Sequence, residues 1–204
     1  MSTTQRELVL GPELAGTLMT PEEFDAVEEY DDLYRYELIH GVLVVNPIPL
    51  AQETGPNELL GHLLLVYKDN HPQGSSLDQT LPEQYVRTRD SRRRADRLIW
   101  TGLGRVPKLK RDLPSIVVEF VSAAKRDRHR DYVEKREEYM ALGIREYWII
   151  DRSRRQMTVY IGQPDGVREQ IVAETDNYRT DLLPGFELPL ARILASADMW
   201  RQQE

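Results

Sequence analysis

Ile116-Val117-Val118-Glu119-Phe120-Val121 is the most apolar run in the chain, and it constrains the architecture more than any other segment. Near-continuous apolar runs of this length belong to strands covered on both faces, so the fold must lay material on either side of this one. Glu119 interrupts it. An ionised carboxylate taken out of water is costly unless a cation, a metal or good hydrogen bonds compensate. Side chains alternate along a strand, which puts Val117, Glu119 and Val121 on one face and Ile116, Val118 and Phe120 on the other.

The neighbouring pattern supplies the rest of an α/β (α+β) fold. Thr20-Pro21-Glu22-Glu23 combines a capping hydroxyl, a first-turn proline and a glutamate three residues after the cap, predicting a helix to about Tyr30. Tyr34 to Ile39 and Val42 to Asn46 flank His40-Gly41 as a hairpin. Leu59, Leu60, Leu63, Leu64 and Tyr67 fall at helical spacing between Pro56 and Tyr67. Gln84 to Thr88 and Arg97 to Trp100 read as strands around an arginine-rich turn, Arg89 to Arg94. A helix from Asp127 to Leu142 stops at Gly143. Glu146 to Ile150 and Met157 to Ile161 form a strand pair, a short strand starts near Val167, and a last helix spans about Ala191 to Trp200.

With 204 residues the chain suits one domain: a peripheral 1–18, a core over 20–185 and an extension over 186–204. It has no cysteine, which excludes disulfides and thiolate metal sites. No apolar run approaches the roughly 20 residues of a membrane span, and Met1 to Leu18 lacks the order of a secretory signal, so a cytoplasmic location is expected. The net charge of −7 conceals a basic middle. Between Arg87 and Arg136 there are 16 Lys and Arg against 7 Asp and Glu, leaving 11 against 27 elsewhere. Arg92, Arg93 and Arg94, and Lys125, Arg126 and Arg128, are candidate phosphate contacts, although charge runs are commonly solvated surface. The acidic opening around Glu22 to Asp32 would repel a polyanion.

On the helix after the apolar strand, Asp131 and Lys135 are four apart and share a face. Lys135 reaches Glu119 if that face turns inward, and is otherwise half of an ordinary surface pair. Asp96 sits at the head of the strand before Glu119. Adjacent strands would bring the two carboxylates together, a conflict that a hard divalent cation removes. Asp96 also reads as a turn aspartate or as a partner for a nearby arginine.

Tyr36-Glu37-Leu38-Ile39-His40-Gly41, Asp96, and the order Glu119, Ser122, Asp131, Lys135, Tyr139, Gly143, Glu146-Tyr147-Trp148, Asp151 together resemble the Uma-two restriction-endonuclease family of the PD-(D/E)xK nuclease superfamily. The resemblance spans roughly Thr20 to Gly185. It implies a restriction-endonuclease-like core, with a mixed central sheet flanked by helices and an N-terminal helix and hairpin extension. It also implies a metal-dependent endonuclease that hydrolyses DNA. Asp96 and Glu119, with Glu37 as third acid, would hold Mg2+ or Mn2+. The motif lysine normally follows its glutamate by two residues, but that position is Val121, so Lys135 from the helix is the implied substitute. Ala95 stands where proline is usual. A homodimer suits cleavage of both strands. A nucleic-acid-binding relative without cleavage, or an interaction module with a buried Glu119–Lys135 pair, are the alternative readings.

Overall fold

The computed structural model describes residues 8–121 and 128–200 and divides the chain into two units, Met1–Pro49 with Tyr85–Arg94 and Leu50–Gln84 with Ala95–Glu204. In the first unit, β1 (Val9–Leu10) pairs in parallel with β2 (Glu29–Tyr30). Helix α1 (Pro21–Asp25) starts with the expected capping box. Thr20 Oγ1 accepts the Glu23 N–H at 3.1 Å, and Glu23 Oε2 accepts the Thr20 N–H at 2.7 Å. The helix stops well short of the expected Tyr30. Capping secures a start but not a length, and the Glu29–Tyr30 backbone finds ladder partners on β1 that one more exposed helical turn would not give it.

The hairpin forms as read, with β3 (Tyr34–Ile39) antiparallel to β4 (Val42–Pro47). His40 and Gly41 both have positive φ, 48° and 77°, the combination a two-residue turn of matching twist needs. Leu10, Phe24, Tyr36, Leu38 and Leu43 make this unit's core. The structure corrects the arginine-rich turn. Arg92, Arg93 and Arg94 are strand residues, and Leu38 pairs with Arg92. Arg92 is buried because Asp25 meets it, with Nη2 to Oδ2 at 2.8 Å and Nε to the same oxygen at 3.0 Å.

The second unit begins with α2 (Ala51–Asn70), which starts before the expected Pro56 and carries that proline inside its second turn. β5 (Leu77–Arg87) pairs with β6 (Arg92–Thr101), and β7 (Ile116–Val121) follows. Next come β8 (Glu146–Asp151), β9 (Gln156–Gln163) and β10 (Gly166–Ala173). The short pair β11 (Asn177–Tyr178) and β12 (Leu188–Pro189) completes the strands. Within this unit the strand order is β10-β9-β8-β7-β6. Only β7 and β8 run parallel; the other neighbours are antiparallel, so the sheet is mixed. A parallel pair needs a crossover. Among the described residues it includes a π-helical stretch, Arg130–Lys135, running into α3 (Arg136–Leu142). Gly143 ends it at φ 91°.

The two faces of β7 divide as alternation requires. Ile116 and Val118 join Trp148, Ile150, Met157 and Val159 in a core closed by Leu60 and Leu64 of α2 and by Leu190, Ile193 and Leu194 of the last helix, α4 (Leu190–Asp198). Val117, Glu119 and Val121 face the other way, on the side where the Tyr147 ring meets that of Tyr139 edge-on at 5.1 Å. The candidate site therefore lies under the crossover.

Candidate active site

β6 and β7 bring Asp96 and Glu119 together. Arg97 pairs with Val118 and Leu98 with Val117, and the same antiparallel register carried back one step sets Asp96 beside Glu119. Asp96 Oδ2 accepts the Phe120 N–H at 2.6 Å, which fixes its carboxylate against β7. Its own carbonyl accepts from Asn57 Nδ2 at 2.8 Å. The Asn57 Oδ1 in turn accepts from Arg97 Nε at 2.7 Å. Arg97 lies so close under α2 that a Cβ on Gly61 would meet its guanidinium at 2.6 Å. The strand carrying Asp96 is thus anchored to the helix above it.

Lys135 turns inward. It is 2% exposed, and Nζ donates to Glu119 Oε1 at 2.8 Å, with Asp131 Oδ1 at 3.5 Å. The surface-pair alternative does not hold. The Asp131 carbonyl accepts from the Tyr147 hydroxyl at 3.1 Å, pinning the π-helical stretch to β8. Single π turns recur at functional positions in helices. Val121, at the usual motif-lysine position, is buried opposite Asp151.

The electrostatics are unbalanced. Burial pushes the Glu119 carboxyl well above the usual carboxylate range; the Lys135 ammonium pulls it down, and Asp96 and Asp131 push it further up. Asp96 keeps a partly exposed edge, yet desolvation raises it to about 7 against the Phe120 N–H and Lys135, which lower it. Three carboxylates therefore face two cations, Lys135 and Arg130, whose Nε lies 3.3 Å from Asp131 Oδ1. Because the folded-state value for Asp96 exceeds the unfolded one, its neutral form favours the native state below the unfolded value, and that contribution is lost as pH rises through about 7. Metal-free protein is expected to lose roughly 5–10 °C in Tm between pH 5 and 8. Thermal scans would check this, since Asp96→Asn should flatten the slope.

Glu37 lies in β3 of the first unit, where both its oxygens are engaged. Oε1 accepts the Arg94 N–H at 2.9 Å and Oε2 accepts from Asn46 Nδ2 at 3.1 Å. Among the phosphate-contact candidates, Arg92 is committed to Asp25 and Arg93 is fully buried. Arg94 is partly exposed, with its guanidinium carbon 5.6 Å from the centroid of the Tyr85 ring. Arg128 pairs with the buried Asp151 at 3.0 Å, while Lys125 and Arg126, like Ser122, lie outside the described residues. Asp151 also accepts from the Tyr132 hydroxyl and the Ser153 and Arg154 N–H groups. Sequence reading placed Asp151 in a motif without a role; its position directly after the apolar run Tyr147-Trp148-Ile149-Ile150 was the available signal. Among the described residues no three His, Cys, Asp or Glu side chains form a ready-made metal cage. Asp96 with Glu119 is a smaller set, of the kind magnesium uses with water and substrate phosphate completing the shell.

A mixed sheet flanked by helices, with acids from two adjacent strands and a lysine from the crossover, defines a nuclease-type α+β fold, as the sequence led one to expect. Among solved structures, that of a "putative nuclease belonging to DUF820" from Anabaena variabilis matches with a TM-score of 0.69. It is 14% identical in sequence and covers 88% of this chain and 99% of its own. Comparison with curated proteins finds no match. The Uma2 family model, described as "Putative restriction endonuclease", matches residues 21–191, and the chain belongs to that family. No helix among the described residues is long and apolar enough to cross a membrane.

Proposed function

We propose that the chain is a divalent-metal-dependent endonuclease that hydrolyses DNA phosphodiester bonds at Asp96, Glu119 and Lys135. The supporting observation is the charge imbalance under the crossover. Lys135 and Arg130 offset two of the three carboxylates, and Asp96 is partly exposed. Asp96 and Glu119 would hold Mg2+ or Mn2+. When bound, such an ion supplies Lewis-acid charge to a reacting phosphodiester.

The chain's own groups do the positioning. The Phe120 N–H holds Asp96 from β7, so its free oxygen is already oriented. Lys135 Nζ has Glu119 and Asp131 as acceptors in this structure, and an ammonium has three donors. It can therefore keep one acid while donating to a phosphate oxygen or an attacking water. Glu37 as a third acid rests on the family resemblance alone. A two-fold dimer remains a proposal for the same reason.

The test is cleavage of supercoiled and linear DNA by the purified chain with Mg2+ or Mn2+, paired with thermal scans. Millimolar metal is expected to raise Tm by about 5–10 °C, as a ligand at a hundredfold its Kd stabilises the folded state by about 2.7 kcal/mol. Nicking should require the metal. A chain that neither gains stability nor cuts with either ion is not such an enzyme. Gain of stability and duplex binding without nicking would point instead to a binding protein on the same fold.

A further inference from the structure

β8 ends on a fully buried carboxylate, and that carboxylate holds two arginines at the surface. Asp151 Oδ1 accepts the Ser153 and Arg154 N–H groups, each at 2.9 Å, and Arg128 Nη2 at 3.0 Å. Oδ2 accepts from the Tyr132 hydroxyl at 3.3 Å and lies 3.8 Å from Arg154 Nε. Arg154 folds back over Tyr132, its guanidinium carbon 5.4 Å from the ring centroid. The carboxylate is closed off from water, yet the Arg128 side chain is 21% exposed and that of Arg154 55%.

Position and charge narrow what such a pair can hold. Ile149 pairs with Glu119 and Val121 with Asp151, so Asp151 stands two residues, about 7 Å, along the ladder from the level of Glu119. Alternation puts it on the face of the sheet that carries Glu119. Arg128 and Tyr132 belong to the crossover that delivers Lys135. One carboxylate stands between the two guanidiniums, and the next residue, Arg152, donates to the neutral Gln52 Oε1. This strand end therefore has an excess of positive charge on a rigid mount, which suits an anion. A guanidinium has five donors in a planar fork, so one fixed through a single nitrogen or by stacking still presents donors to a pair of phosphate oxygens.

We propose that Arg128 and Arg154, mounted on Asp151 and Tyr132, clamp a backbone phosphate of the DNA strand a few nucleotides from the bond that is cut. That the phosphate belongs to DNA rests on the nuclease reading; the clamp rests on the geometry around Asp151. Successive phosphates of one strand advance about 3.4 Å along the duplex axis, so a single strand spans the separation in two or three steps. Phosphate contacts position a strand without reading its bases, and the clamp therefore adds affinity that is independent of sequence.

The test is fluorescence anisotropy in EDTA, where no metal contributes, with a labelled DNA duplex titrated at several salt concentrations. Arg154→Ala is expected to weaken binding about 5- to 10-fold at about 0.1 M salt and to lower the slope of log affinity against log salt by about one, as loss of one phosphate contact does. Asp151→Asn separates a clamp from general attraction: it removes a negative charge, so attraction alone would tighten binding, whereas a clamp without its mount binds more weakly. Circular dichroism checks folding. Should Asp151→Asn not fold, Tyr132→Ala asks the same question, with weaker binding expected although no charge is lost. Arg179→Ala, which removes an exposed arginine paired with Glu187, is the control and should change neither affinity nor slope. Parent affinity and slope in both Arg154→Ala and Arg128→Ala, an equal loss in Arg179→Ala, or undiminished binding by Asp151→Asn or Tyr132→Ala overturns the inference. A protein that shows the losses but never cuts loses the nuclease reading and keeps the clamp; one that cuts while these variants bind as the parent does the reverse.

Discussion

Lys135→Ala is expected to cost about 3–5 kcal/mol of folding free energy, the usual penalty for removing one partner of a buried ion pair. For a chain of this length that is roughly a 10–15 °C fall in Tm. The substitution leaves Glu119, 4% exposed, and Asp131, 3% exposed, with no ammonium between them and with Asp96 on the adjacent strand. Three consequences separate this from simple loss of packing. Glu119→Gln in the Lys135→Ala background should restore part of the loss, because the uncompensated charge has gone, giving a coupling energy of at least about 1 kcal/mol in the double-mutant cycle. Added Mg2+ should stabilise Lys135→Ala more than it stabilises the unaltered protein, since the cation fills the deficit that the ammonium left. Lys135→Met, which keeps the stem, should still fall well below the parent. If Lys135→Ala and its parent melt within about 2 °C in EDTA, the buried charge cluster does not govern stability.

Much of this cluster was legible because its signals are local. The apolar run of Ile116–Val121 announces a covered strand, the lone acid within it announces a partner, and the spacing of Asp131 and Lys135 names that partner; the structure gives each of these. Pairing of Asp96 with Glu119 was also readable, since strands consecutive in sequence are commonly neighbours in a sheet. What escaped depends on contacts distant in sequence. Arg92 reads as a turn residue in an arginine-rich stretch, and only Asp25, 67 positions away, makes it a buried strand residue. β5 extends back to Leu77, past Pro82 and a Glu83 with φ 54°, features that ordinarily mark the end of a strand. The π-helical register leaves no mark in side-chain spacing, because Asp131 and Lys135 meet in either form. The local partners of Glu37 were equally hidden, since Asn46 reaches it only through the hairpin register that pairs Glu37 with Val44.

Asp96→Asn should move stability and activity in opposite directions, a result that an ordinary structural acid would not give. Asparagine retains a carbonyl oxygen that can accept the Phe120 N–H, so the bond that positions the side chain survives. It removes the ionisation that desolvation opposes, a carboxyl held at about 7 by its surroundings. The variant's margin over the parent is therefore expected to widen by roughly 5–10 °C between pH 5 and pH 8, because the parent's folded Asp96 is neutral at the lower pH and must ionise at the higher. Activity should fall about a thousandfold, the size of loss that removal of one preorganised electrostatic group produces. The metal-induced rise in Tm should shrink with it, because half of the proposed carboxylate pair has lost its charge. A residue kept as aspartate at the expense of stability is one whose charge is needed for work in the native state. The decisive comparison is melting at the two pH values beside metal-dependent nicking on the same preparations. A variant whose margin fails to widen between pH 5 and pH 8, or one that nicks DNA as fast as its parent, would remove Asp96 from the proposed site.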